Sequence, residues 1–354
     1  MRHLRASSDK SKRAEVVPTH SSGLFAAAVE RARETLARGG LVVVPTETVY
    51  GLAANAWDGR AVRQIFEAKG RPSGNPVIVH VASGILAREC VREWPETADR
   101  LAKACWPGPL TLVLRRGDRI PDEVTAGGET VGVRWPSHPF MQALIRACGF
   151  PLAAPSANRS NAISPTLAEH ALASLGDRVG LIIDGGASNV GIESTVVDLT
   201  VSPARVLRPG MVSEPRIHEL LGERLPGTLD GERKPDAAVG PLRSPGMLAK
   251  HYAPRARIWV GNWRDDRDLR DQLARAGVDS TTAHVLAHHV IPGERVASRV
   301  CVIPADAEAF ARALYAEWHL CDSLGAKTIV MEAVPDGPEW RAIADRLVRA
   351  AAPE

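Results

Sequence analysis

The sequence predicts two α/β units: a larger N-terminal one with a mixed sheet surrounded by helices, and a smaller C-terminal one with a parallel sheet. Three observations carry this. Over residues 24–210, short β-branched runs and amphipathic stretches mix without strict βαβ alternation, a pattern that a mixed sheet accommodates. Residues 213–245 turn rich in Pro, Gly and charge, the composition of a linker. Beyond them strands and helices alternate regularly, as in a small parallel sheet. A chain of 354 residues can hold two domains that each bury a core. The expected divisions are a frayed tail at 1–20, a first domain at 21–212, a linker at 213–254 and a second domain at 255–354.

In chain order, residues 24–38 carry apolar side chains at helical spacing and stop at Gly39-Gly40. LVVVP (41–45) is a buried strand, and Asp58 caps a helix over 59–69 that ends at Gly70. PVIVHV (76–81) is a strand. A helix near 96–105 is followed by strands at TLVLRR (111–116) and TVGVRW (130–135). A helix at 138–148 and the strand PLAAP (151–155) come next. Ser164-Pro165 has the pattern of a helix start, with Ser at the cap and Pro in the first turn. LIIDGG (181–186), STVVDL (194–199) and ARVLRPG (204–210) are three further strands, and a short helical stretch lies near 215–222. In the second unit RIWVGN (257–262), HVLAHHV (284–290), RVCVIP (299–304) and KTIVMEAV (327–334) are strands. Helices near 264–277, 305–322 and 338–351 separate most of them.

Composition narrows the class. A hydrophobic content of 45% and a charged content of 24% are those of a globular protein. No apolar run approaches the roughly 18 residues of a spanning helix, so no membrane is expected as a partner. The basic start MRHLRASSDKSKRAEVV has no apolar stretch behind it, unlike a secretory signal. Cys90, Cys105, Cys148, Cys301 and Cys321 show no CxxC spacing, which argues against a disulfide framework or structural zinc and for the reducing cytoplasm. A net charge of +3 is small for this length, so any anion site must come from local clustering.

Neither GxxxxGK[ST] nor GxGxxG after a strand occurs, nor do HExxH or GxSxG. Instead, polar and Pro-punctuated segments follow the strands: PTETVYGL (45–52), AKGRPSGNP (68–76), WPGPLT (106–111), VGVRWP (131–136), APSAN (154–158), GIESTV (191–196) and VLRPG (206–210). Strand ends are where α/β sheets build ligand crevices. These segments, with His80 of the strand PVIVHV, set Lys69, Arg71, His80, Arg134 and Arg208 against Glu47 and Glu193. They and the strands beside them also hold Thr46, Thr48, Asn75, Thr130, Ser156, Asn158, Ser164, Ser194 and Thr195. Such a surplus of cations and neutral donors suits a substrate with several anionic groups, such as a triphosphate plus a carboxylate. The planar fork of Arg134 suits a carboxylate, and the compact charge of Lys69 suits phosphate or bicarbonate. Taken singly, each has a plainer explanation. A lone Ser or Thr is usually a cap or turn former, a lone strand Arg a solvated face, and His80 a satisfied core histidine. The histidines between His284 and His289 fit an edge strand better than a metal site.

Together and in this order, the seven segments resemble the threonylcarbamoyl-AMP synthase family, whose catalytic unit is the YrdC-like domain. The likeness spans about residues 24–210 and rests most on PTETVYGL, KGRP followed by NP, and SAN. SPGMLAKHYAP (244–254) and the C-terminal, Rossmann-like unit resemble the long, two-domain form. The resemblance implies a twisted mixed sheet around a deep positive cavity. It also implies a reaction that joins L-threonine, bicarbonate and ATP, with Mg²⁺ on the phosphates, into an adenylate used to modify tRNA at position 37. L-threonine would meet Thr48, His80, Arg134, the backbone at Ala154, and Ser194. ATP would meet Arg71, Asn75, Thr130, Ser156, Asn158, Ser164, Arg208 and Tyr252. Lys69 and Arg71 would carry the catalytic charge. tRNA and a downstream tRNA threonylcarbamoyl-transferase complex are the implied macromolecular partners. An RNA-binding module is disfavoured by an aromatic content of 5%. A carbamoyl transferase on the same domain would carry acylphosphatase-like and zinc-finger segments, which this sequence lacks.

Overall fold

The computed structural model describes residues 13–222 and 252–352. The first unit runs β1 (Glu15–Pro18), α1 (Ser22–Ala37), β2 (Val42–Val44), β3 (Gly51–Asn55), α2 (Gly59–Lys69), β4 (Val79–His80), α3 (Gly84–Glu89), α4 (Glu96–Cys105) and β5 (Leu110–Arg115). It continues with α5 (Asp122–Thr125), β6 (Thr130–Arg134), α6 (Pro139–Cys148), β7 (Leu152–Ala153), α7 (Ala168–Leu175), β8 (Leu181–Asp184), β9 (Thr195–Asp198), β10 (Arg205–Arg208) and α8 (Glu214–Leu221). The second runs β11 (Arg257–Gly261), α9 (Asp266–Arg275), β12 (Ala283–Ala287), β13 (Arg299–Val302), α10 (Ala307–Ser323), β14 (Thr328–Glu332) and α11 (Arg341–Ala351).

The first unit's strands form one mixed ten-stranded sheet in the order β1-β8-β2-β3-β7-β4-β6-β5-β9-β10. Helices cover both faces, so central strands are apolar throughout and not alternating. Val42 and Val44 pack with Leu36 of α1 and Phe140 of α6, whereas Val43 joins Ile65 of α2 and Leu175 of α7 on the other face. Helix α2 shows how local chemistry sets a boundary. Asp58 accepts from the amides of Arg60 and Ala61, and Gly70 closes the helix at φ +61°, where a side chain would be strained. The second unit is a four-stranded parallel sheet, β11-β14-β12-β13, as its alternation predicts.

Several local expectations are corrected. Residues 15–18, assigned to a frayed tail, form β1 and pair in parallel with β8; residues 1–12 lie outside the described ones. The short helix expected near 215–222 forms as α8, but it belongs to the first domain and not to the linker, since it buries Ile217 and Leu221 in the first core. PTETVYGL continues into a strand, β3, that pairs antiparallel with β2. Ser164-Pro165 starts no helix, since α7 begins at Ala168 without a side-chain cap.

The two units share a core. Val49, Ile163 and Ile192 of the first unit cluster with Phe310, Leu314 and Tyr315 of α10 and with Ile343 and Leu347 of α11. Gly191, at φ +84°, lies so close to α10 that a Cβ would collide with the backbone of Arg312.

Candidate functional site

A cavity opens where the β2–β3 hairpin meets the ends of β4, β6, β7 and β10. Its wall includes Thr46, Thr48, Arg71, Ile78, His80, Arg134, Ala154, Ser156, Glu193, Ser194, Arg208 and Tyr252. The space open to the centre of a water molecule is about 50 Å³, room for a few waters.

The hairpin loop folds around Thr46. Its Oγ1 accepts from the amides of Thr48 and Val49 and donates to the Val49 carbonyl at 2.6 Å. Outside the loop, the carbonyls of Glu47 and Thr48 accept from the amides of Val190 and Gly191. The hydroxyls of this motif thus divide their tasks: Thr46 shapes the turn, and Thr48 presents Oγ1 to Arg134 Nη1 at 2.9 Å.

Arg134 and His80 face the same space because β4 and β6 are parallel with these two residues in register. Arg134 is 4% exposed, so it is no solvated strand residue. Its Nε donates to the Gly108 carbonyl and its Nη2 stands 2.7 Å from Glu47 Oε1, an ion pair off the hydrogen-bond direction. Burial pushes the Glu47 carboxyl up, and Arg134 more than reverses this, leaving it below the usual range. The expected open fork is therefore already engaged along one side. His80 is buried, and desolvation together with Arg134 pulls its imidazole down to about 3, so it is neutral at physiological pH. Its Nδ1 has no hydrogen-bond partner among the described residues.

Also in the wall, Arg208 donates from Nε to the Ser194 carbonyl at 3.1 Å and from Nη2 to Ser194 Oγ at 3.1 Å. Ser194 Oγ also meets Thr111 Oγ1 at 2.8 Å. Arg71 donates to the carbonyls of Asn75 and Pro76, and burial pulls its guanidinium down to about 10. Tyr252 is 1% exposed, with φ +63°, and forms part of the cavity wall.

Five expected residues stand elsewhere. Lys69 is fully committed to the SAN loop, donating from Nζ to the carbonyls of Ser156 and Asn158 at 2.5 Å each. Burial and the nearby Arg71 press its ammonium well below the ordinary lysine range. Asn158 donates its side-chain amide to the Arg159 and Ala162 carbonyls, so it braces the same loop. Ser164 is buried and donates to Glu193 Oε1 at 2.6 Å, instead of capping a helix. Thr130 borders a separate small cleft with Thr111 and Gly132. Asn75 is 2% exposed, and its side-chain amide has no hydrogen-bond partner among the described residues. At Ala154 the amide is taken by the Ile78 carbonyl, which leaves the carbonyl as its polar group in the cavity wall.

Two residues the sequence reading passed over stand behind Glu193, namely Tyr315 and Arg346 of the second unit. The signal for Arg346 was present, because it falls on the apolar face of α11 with Ile343, Leu347 and Ala350. Burial raises the Glu193 carboxyl, and Arg346 and Arg208 more than offset that, holding it below the usual range.

Both carboxylates here are paired with an arginine, and among the described residues no three His, Cys, Asp or Glu side chains converge. Nor is any helix among them long and apolar enough to cross a membrane.

A family model for the Sua5, YciO and YrdC proteins, described as telomere recombination, matches residues 34–210. A second, described as threonylcarbamoyl-AMP synthase, C-terminal domain, matches residues 212–352. A threonylcarbamoyl-AMP synthase of Pyrococcus abyssi is 39% identical over 316 residues, covering 88% of this chain and 90% of its own. Another, from Bacillus subtilis, is 39% identical over 332 residues, covering 91% and 92%. The solved structure of P. abyssi Sua5 complexed with L-threonine superposes with a TM-score of 0.84 at 36% identity, covering 95% of this chain and 96% of that one.

Proposed function

Because this chain belongs to the threonylcarbamoyl-AMP synthase family in its two-domain form, we propose that it joins L-threonine, bicarbonate and ATP into L-threonylcarbamoyladenylate and releases pyrophosphate. The observation that carries the reading is the polar make-up of the cavity wall. It brings Arg134, bonded to Thr48, and Arg208, bonded to Ser194, together with His80, Arg71 and Ser156 around one cavity. An amino acid would fit with Arg134 on its carboxylate and Thr48, His80, Ser194 and the Ala154 carbonyl on its amine and hydroxyl. Phosphates would fit with Arg71 and Arg208 as cations and Ser156 as donor. Asn75, whose buried amide has no protein partner among the described residues, is a further nucleotide contact on this reading. Thr130, Asn158 and Ser164 would act on the nucleotide from behind the wall. Lys69 would act by shaping the SAN loop and not as a phosphate ligand.

The chemistry needs little covalent work from the protein. The neutral threonine amine adds to the carbon of bicarbonate with loss of water, or to carbon dioxide with loss of a proton, and gives a carbamate. A carbamate oxygen then attacks the α-phosphorus, and the bond to pyrophosphate breaks. A neutral His80 accepts a hydrogen bond from the amine without repelling it as an imidazolium would. Fixed guanidinium groups stabilise the charge that moves onto the leaving pyrophosphate. The paired carboxylates do not fit a protein-held magnesium site, so Mg²⁺ is taken to arrive on the ATP phosphates. Tyr252, which lines the cavity with Arg71 and Arg208, would cover the nucleotide.

The adenylate is destined, on this reading, for threonylcarbamoylation of tRNA position 37 by a downstream transferase complex. The five free cysteines support a cytoplasmic location. The test is product identification. Mass spectrometry after incubation with ATP, L-threonine and ¹³C-bicarbonate should find threonylcarbamoyladenylate with the label in its carbamoyl carbon. Finding AMP derivatives without that label would refute the reading.

A further inference from the structure

The Glu193 carboxylate sits in the wall of a cavity otherwise rich in cations, and two of its partners come from the far domain. Its Oε2 accepts from Arg346 Nε at 3.0 Å and from the Tyr315 hydroxyl at 3.1 Å. Both side chains are 0% exposed. The same guanidinium donates from Nη1 to the Pro209 carbonyl at 2.8 Å and from Nη2 toward the Glu193 carbonyl at 3.4 Å. One arginine of α11 thus ties the segment holding Glu193 and Ser194 to the segment holding Arg208 and Pro209. The two residues also flank Tyr252, the aromatic residue of the cavity wall. Arg346 Cζ lies 5.3 Å from the Tyr252 ring centroid, and the Tyr315 ring lies 6.0 Å from it. Packing alone would not select a charge at this position. A buried arginine is costly unless its geometry and partners are satisfied, and an aliphatic residue would fill the apolar face of α11 without that cost.

We propose that Arg346 and Tyr315 are positioning residues of the first domain's site, setting Ser194, Arg208 and Tyr252 around the substrates by clamping Glu193 and Pro209. The proposal rests on the reaction proposed above. Arg208 donates to both the carbonyl and the hydroxyl of Ser194, so a displacement of Glu193 passes to Ser194 and then to Arg208. Loosening the clamp also sets the Glu193 charge loose beside Arg208. The docked C-terminal domain is thereby part of the site, although its own groups donate to Glu193 and not to the substrates.

Three full-length variants test this. Tyr315→Phe removes one donor to Glu193 and keeps the ring against Tyr252. Arg346→Lys keeps the charge and loses the fork. Arg341→Lys alters a different interdomain ion pair, to Glu214, away from the cavity wall. For each, thermal melting, kcat and KM from pyrophosphate release, and L-threonine binding by calorimetry are measured. Tyr315→Phe and Arg346→Lys should lower kcat/KM about tenfold or more, as small misplacements of reacting groups do, while Arg341→Lys leaves it near wild type. Tyr315→Phe should melt close to the wild-type temperature, and it decides the matter if Arg346→Lys does not fold. Unchanged kcat/KM and threonine affinity in Tyr315→Phe, or an equal loss in all three variants, would overturn the clamp. A wild-type protein that releases no pyrophosphate would instead refute the reaction, and threonine affinity across the three variants would still decide the clamp.

Discussion

Arg134 illustrates how a single residue carries more than its motif shows. VGVRWP marks it as a cation at a strand end, and that much is legible in sequence. Its partners are not, because Gly108, Thr48 and Glu47 come from three other segments that only the fold assembles. Arg134→Lys should raise the KM for L-threonine about tenfold or more and leave the KM for ATP nearly unchanged, since an ammonium cannot hold a carboxylate bidentately while also bonding Gly108 and Thr48. Steady-state kinetics with each substrate varied in turn checks this, and an unchanged threonine KM would remove Arg134 from the threonine contacts. His80 makes a second prediction at this scale. Its folded-state value of about 3 lies below the ordinary 6.5, as does that of His170. The unfolded chain therefore binds more protons than the folded one between these values, and stability falls as pH drops from about 6.5 toward 3. Below about 4.5 the depressed carboxyls of Glu47 and Glu193 add to the loss. Thermal melting across pH 8 to 4 should show this decline, and His80→Gln should flatten part of it. A melting temperature that rises on acidification would contradict the assignment of a buried neutral imidazole.

At the scale of elements, helices with caps and breakers were the most legible. Asp58 and Gly70 bound α2 where the sequence placed it, because a cap and a left-handed stop are local chemistry. Short strands were less so. β4 and β7 span two residues each, and β3 starts at the end of PTETVYGL with Gly and Ala residues of weak strand preference. Ser164 misled for a related reason. Ser-Pro has the local look of a helix start, yet its hydroxyl serves a carboxylate 29 residues away, which no local pattern encodes. Lys69, the last residue of α2, is the case where burial changes the role. Its ammonium holds the carbonyls of Ser156 and Asn158, so Lys69→Met should leave buried acceptors unsatisfied at a cost of about 1–3 kcal/mol. Denaturant unfolding should register that loss, with a rise in ATP KM larger than the fall in kcat. Wild-type stability with abolished kcat would restore Lys69 as a direct participant in the chemistry.

For the whole molecule, the division into a mixed sheet and a small parallel one was readable from alternation and composition, whereas the way the two dock was not. Docking depends on residues such as Gly191 and Arg346 whose meaning lies in what they touch. Gly191 combines a left-handed backbone with α10 pressed against it, so Gly191→Ala should cost about 2 kcal/mol or more and loosen the domains. Limited proteolysis should then release a C-terminal fragment faster than from the wild type, and equal rates would show that the contact tolerates a methyl group. Pyrophosphate release from ATP reads the joint use of the three substrates directly. Release is expected only when L-threonine and bicarbonate are both present, with L-serine a poor substitute for threonine. Equal release without bicarbonate, or with serine in place of threonine, would contradict it.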